Sequence, residues 1–143
     1  MKKHANRSRL HPLPNLLGFA LSLSMLTSTR ARAQQVQIIE ISAKKYEYSG
    51  SPIHVKLGTK VQLRINATDH DHGFKVAVVP DGGTSSETPG LVFTSAQDCW
   101  LLEKGETSVI EFLAQTLGSY TFRCCHTCGL GHKAMKGQII VDR

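Results

Sequence analysis

Residues 124 to 135 read CCHTCGLGHKAM. Cys124, Cys125, Cys128, His126, His132 and Met135 all fall within this short run. Thiolate, imidazole and thioether are soft or borderline donors, and a set that combines all three suits copper, above all where Cu(I) must be held. Zinc takes Cys and His readily, but Met serves it poorly, and the outer cysteine pair here lacks the short paired spacing of closed zinc sites. A further imidazole, His72, stands upstream in the stretch DHDHGF. Its neighbours Asp69, His70 and Asp71 read as a polar turn, with Asp69 placed to brace the loop from behind the donors. A metal enzyme needs an open coordination position and a substrate pocket. This donor set closes on itself, and no Ser-His-Asp or paired-carboxylate arrangement stands out. The residues point to binding or one-electron chemistry rather than to making and breaking substrate bonds, so no catalytic residue is assigned.

The elements that must position these donors are strands. Val36–Ser42, Tyr46–Tyr48, Ile53–Lys56, Val61–Ile65, Phe74–Val79, Ser108–Leu113, Tyr120–Arg123 and Gly137–Val141 are short, β-branched or aromatic, and separated by Gly, Pro and polar residues. No long window carries a helical period. Such spacing predicts an all-β fold, a Greek-key β-sandwich. His72 then sits just before one strand, Cys124 just after another, and Met135 just before the last. Residues 80–99, rich in Gly, Ser, Thr and Pro, read as the one long loop. His54 alternates with apolar neighbours as a surface strand residue, and Trp100 reads as core packing.

The chain of 143 residues carries a formal charge of +6. Six basic residues (Lys2, Lys3, Arg7, Arg9, Arg30 and Arg32) lie before Gln34, where no acidic residue occurs. The remaining basic and acidic residues balance. The basic excess belongs to the leader and gives no argument for a nucleic-acid partner. That leader has a positive start, an apolar run at 16–26 and the small-x-small stretch Ala31-Arg32-Ala33. It reads as a signal peptide over 1–33, followed by a soluble copper-binding domain over 34–143. The apolar run is shorter than the ~20 residues that span a bilayer. The rival reading is an uncleaved anchor tying the domain to the membrane through its N-terminus. Either way the domain is placed in the periplasm or another extracytoplasmic compartment, where disulfides form.

The spacing Cys124-x3-Cys128-x3-His132-x2-Met135, with His72 upstream, resembles the dinuclear copper A site. That site belongs to the cupredoxin domain of cytochrome c oxidase subunit II and of nitrous oxide reductase. Tyr46-Glu47-Tyr48, Asp69 to Phe74, Pro89-Gly90, Gly118-Ser119-Tyr120 and Gly129 resemble flanking features of the same domain. The ligand loop is the specific part of the likeness. By position, the resemblance implies a site of His72, Cys124, Cys128, His132, Met135 and the backbone carbonyl of His126, holding two copper ions bridged by the two cysteines. It further implies a single-electron relay in a respiratory chain. The implied partners are a cytochrome c-like donor and an oxidase or reductase acceptor.

The sequence departs from the oxidase pattern at three points. His126 stands where that family has a Glu whose carbonyl binds copper and whose side chain reaches a metal at the subunit contact. The aromatic segment from Ser42 to Tyr48 has no Trp. The membrane hairpin that usually precedes the domain has no counterpart in the leader. These differences shift the expectation toward a free-standing relay or an accessory in copper handling. Two other readings stay open. Cys128, His132, Met135 and His72 alone make a mononuclear blue-copper set, and an exchangeable copper-delivery site uses the same donors. Cys99 and Cys125 remain, as a disulfide pinning the long loop to the metal loop, as two separate thiols, or with Cys125 competing for the metal.

Overall fold

The computed structural model describes residues 35–84 and 88–143. The expected leader at 1–33 lies outside the described residues. Among the described residues, no helix is long and apolar enough to cross a membrane.

Among the described residues ten strands follow in order: β1 (Val36–Lys44), β2 (Glu47–Tyr48), β3 (Ile53–Lys56), β4 (Lys60–Ala67), β5 (His72–Val76), β6 (Leu91–Phe93), β7 (Trp100–Leu102), β8 (Thr107–Ala114), β9 (Gly118–Arg123) and β10 (Lys136–Asp142). They form two five-stranded sheets, ordered β2-β1-β4-β8-β6 and β3-β10-β9-β5-β7. Parallel pairs β1·β4 and β3·β10 join otherwise antiparallel sheets, so the chain crosses between layers as the expected Greek-key sandwich requires.

Period-two alternation drives the burial. Along β4, Val61, Leu63, Ile65 and Ala67 turn inward while their neighbours stay partly exposed. Ile110, Phe112 and Ala114 of β8, Tyr120 and Phe122 of β9, and Ile139 and Val141 of β10 face the same interior. An aromatic cluster closes one end of this core, with Phe74–Phe122 ring centres at 5.0 Å and Tyr48–Phe122 at 5.2 Å. Each such ring removed from water contributes about 1.5–3 kcal/mol before entropy is charged. The Tyr120 hydroxyl donates to the Thr116 carbonyl at 2.7 Å, a tyrosine corner at the turn into β9. Gly90 lies against that hydroxyl so closely that a Cβ there would overlap it.

Most strand ends shift by a residue or two from the sequence reading, and three features differ by more. Residues 80–99 are not one loop, because β6 pairs with β8 at Leu91–Ala114 through Phe93–Phe112. A three-residue strand flanked by Gly and polar residues carries too little alternation to be seen in advance. The strand expected over Phe74–Val79 starts earlier and ends earlier. His72 and Gly73 already pair with Leu102 and Leu101 of β7, while the Val78 carbonyl turns to accept from the N–H groups of Gly90 and Leu91. The third difference is β7 itself. Trp100 packs against Phe93 at 5.0 Å, so the expected packing role stands, within a strand the sequence did not signal.

Candidate metal centre

Two segments meet at one end of the sandwich. β9 and β10 run antiparallel up to Arg123 and Lys136, and the Cys124 N–H donates to the Met135 carbonyl at 3.0 Å. That bond closes the 124–135 loop at its base. A single 3₁₀ turn, His132–Ala134, folds the far side of the loop back. β5 lies on the other flank of β9 through Lys75–Arg123 and Val76–Phe122, which carries His72 and Gly73 alongside the loop. Close approach demands glycine here. A Cβ on Gly73 would overlap the His126 backbone nitrogen and sit 2.6 Å from the Cys125 sulfur. Gly129 has φ +118°, and a Cβ there would lie 2.7 Å from the Tyr46 hydroxyl oxygen.

The donors converge. The Cys124 and Cys128 sulfurs are 3.6 Å apart. From Cys128, the Met135 sulfur is at 3.9 Å and His132 Nδ1 at 3.7 Å. Cys124 Sγ donates to the His126 carbonyl at 3.1 Å and receives the Gly73 N–H at 3.4 Å. One ring nitrogen of His72 lies with both sulfurs in a group whose members are all within 4.8 Å of one another. His72, Cys124, Cys128 and Met135 are buried, and His132 is half-buried. The His126 side chain is exposed, so its backbone, not its imidazole, belongs to the cluster.

Burial, then the neighbouring Cys124, pushes the Cys128 thiol up to about 11. A thiol raised this way in an apolar pocket is protonated unless a cation replaces its proton. Tyr48 is raised above the usual phenol range by burial first and Cys124 second, and its hydroxyl donates to the Gly73 carbonyl.

Outside the donors runs a chain of hydrogen bonds that sequence reasoning did not assemble. His72 Nε2 lies 2.7 Å from Asp69 Oδ1 and 3.0 Å from His70 Nδ1. His70 Nε2 lies 2.9 Å from the Cys128 carbonyl. A carbonyl and a carboxylate only accept, so both Nε2 atoms carry the protons. His70 Nδ1 is then an acceptor, and His72 Nδ1 keeps its lone pair. That His72 nitrogen is buried with no hydrogen-bond partner, which is costly unless something binds it. A soft metal ion fits: two thiols, a thioether, an orphaned imidazole nitrogen and a carbonyl surround one buried point. Asp69 performs the bracing expected of it. Burial alone would raise its pKa, but bonds from His72 and from the Lys45 and His70 N–H groups hold it well below the usual carboxylate range. His70, read in advance as part of a polar turn, links the His72 ring to the ligand loop.

Cys99 and Cys125 form a disulfide with Cα atoms 5.9 Å apart. Cys125 is therefore out of competition for the metal, and Cys124 and Cys128 are the two free thiols.

A sequence model of the cupredoxin-like domain matches residues 16–141. Cytochrome c oxidase subunit 2 of Thermus thermophilus is 29% identical over 103 residues, which are 72% of this chain and 64% of that protein. A second subunit 2 from the same species is covered over 51% of its length, so this chain spans less than two thirds of the relatives it matches. Among solved structures, the periplasmic domain of cytochrome oxidase subunit II (CoxB) of Bradyrhizobium japonicum superposes with TM-score 0.54 at 14% identity. The match covers 75% of this chain and 84% of that one. Auracyanin A, a "blue" copper protein of Chloroflexus aurantiacus, gives 0.56 at 15% identity, over 76% of this chain and all of that one. At these identities the two structures speak for the fold alone.

Proposed function

The chain belongs to the cupredoxin-like family, and on that premise we propose that it is a copper electron-transfer domain with a dinuclear copper A centre. The ligands are His72 through Nδ1, Cys124, Cys128, His132, Met135 and the His126 carbonyl. The observation that carries this reading is the pair of buried free thiols 3.6 Å apart, flanked by donors on both sides. A mononuclear site needs one thiolate and leaves the second buried without a task.

Copper held by these residues would supply a Cu(I)/Cu(II) couple for one-electron transfer, with Cys124 and Cys128 as its thiolate donors. The protein's part is to hold donor positions fixed. Cys124 is tied by the Gly73 N–H, Cys128 by its carbonyl to His70, and His72 by Asp69 and His70. Met135 is fully buried at the base of the closed loop. Donors that barely move between oxidation states keep the reorganisation cost of electron transfer low. Among the side-chain donors, the half-buried His132 is the one nearest to solvent, and the proposed route for electrons runs through it. The similarity to oxidase subunit 2 supports a place in a heme-copper oxidase-like complex outside the cytoplasmic membrane, with a cytochrome c-like donor. His126 in place of the family's Glu removes the carboxylate that reaches a metal at the subunit contact, which favours a different contact there.

A mononuclear blue-copper reading has one observation in its favour: Cys128 alone lies within 3.7–3.9 Å of both His132 and Met135. Copper counting separates the two. Native mass spectrometry of the reconstituted chain should give two copper ions, and Cys124→Ser should give one or none. A wild type that stops at one copper would sink the dinuclear proposal.

A further inference from the structure

The outer face of the β3-β10-β9-β5-β7 sheet carries a row of cations that sheet stability opposes. Arg123 in β9 stands directly opposite Lys75 in β5 on one side and Lys136 in β10 on the other. Residues in register share a face, with Cβ atoms about 4.5–5.5 Å apart, and like charges so placed destabilise the pair. Lys133, on the ligand loop, adds a fourth cation at the same end. Among the described residues none of the four forms an ion pair with a carboxylate. The nearby Asp81 is engaged elsewhere: its carboxylate accepts from the Thr121 N–H at 3.0 Å and the Thr121 hydroxyl at 2.8 Å.

The row borders a cleft of about 530 Å³ lined by Lys75, Arg123, Cys124, Cys125, His132 and Lys133. The half-buried donor His132 and both neighbouring cysteines therefore form the wall of a basic recess. The composition hides this, because acidic residues elsewhere balance these cations.

We propose that the Lys75–Arg123–Lys136 row, with Lys133, docks the carboxylate-rich face of an electron-transfer partner over His132. The functional side of this inference rests on the copper relay reading, but the binding itself does not. Unpaired cations beside a recess attract carboxylates through charge-assisted hydrogen bonds, bidentate at the Arg123 guanidinium. They also steer an acidic partner to His132, the one side-chain donor of the cluster that is not buried. Once seated, carboxylates relieve the repulsion across the three strands.

The test uses the copper-free, ¹⁵N-labelled chain and amide chemical shifts, so it needs no metal. The probes are hexaglutamate, inorganic sulfate and hexalysine at matched ionic strength. Hexaglutamate should shift the amides around 75, 123, 133 and 136, bind at least about tenfold more tightly than sulfate, and weaken as salt is added. Hexalysine should shift none of them. Lys75→Gln with Arg123→Gln and Lys136→Gln should weaken hexaglutamate about tenfold or more at unchanged amide dispersion. If the triple variant fails to fold, Lys75→Gln alone should weaken binding about threefold. Sulfate binding as tightly as hexaglutamate, shifts scattered over other faces, or neutralised variants that bind like the wild type would each overturn the proposal. None of these outcomes bears on copper counting, so the two readings fail separately.

Discussion

Removing the His70 ring should weaken copper without unfolding the protein. His70 touches no proposed ligand atom; it holds the outer nitrogen of His72 and the carbonyl of Cys128. Partners of this kind typically change metal affinity by about 10–100-fold. His70→Ala should therefore lose affinity in that range, read by competition with a chromophoric Cu(I) chelator, while its thermal midpoint in the metal-free state stays close to wild type. A variant with unchanged affinity would mean that the hydrogen-bond chain is incidental. Proton linkage acts at the same scale. With its thiol raised to about 11, Cys128 is protonated at neutral pH and must release that proton on binding metal. Metal affinity should then rise with pH, by about tenfold per unit for that proton. The dependence vanishes if the thiolate already exists at neutral pH, and proton release measured in weakly buffered solution checks it. The loop donors were legible in the sequence because four of them sit on one short stretch at fixed spacing. His72 was legible as a candidate from its place just before a strand that a sandwich can bring beside the loop, and the family resemblance named it a ligand. His70 was not legible, because its partners are set by how β5 lies against the loop, and residue spacing does not encode that.

The strands account for which donors meet, and they were legible in unequal measure. β4 and β8 announce themselves through eight-residue alternation. β6 and β7 have three residues each, and only pairing with longer neighbours makes them strands. The pairing of Cys99 with Cys125 was one possibility among three until β7 was seen beside β5. The two cysteines are 26 residues apart in sequence, for which chain-entropy reasoning gives about 3.5 kcal/mol of stability. The double variant Cys99→Ser with Cys125→Ser should lose that amount in urea unfolding of the metal-free chain. A loss near zero would mean that strand pairing alone holds β7 in place. The cation row predicts the opposite sign: Lys75→Gln should stabilise the metal-free chain by about 0.5 kcal/mol, since it removes a like-charge pair across β5 and β9. A destabilised Lys75→Gln would show that the row is structural.

At the scale of the molecule, the sandwich separates a packed interior from one chemically active end. Tyr48, Phe74 and Phe122 form the floor of that end, so the donors rest on closely packed rings, a rigid support. Rigidity of this kind suits a relay, which gains nothing from motion, and suits a delivery protein poorly, since that must release its ion. Fold class and the family were legible from strand spacing and from one loop. Charge at this scale was legible only as a sum. Outside the leader the basic and acidic residues balance, yet the sheet register gathers four cations beside the cluster. The central claim is that two copper ions share one electron between Cys124 and Cys128. Electron paramagnetic resonance of the copper-loaded chain, with metal quantitation on the same sample, tests it most directly. Two copper ions per chain and a hyperfine pattern richer than one copper nucleus can produce are the predicted result. One copper per chain with a four-line pattern would contradict it, leaving Cys124 a spectator beside a mononuclear site.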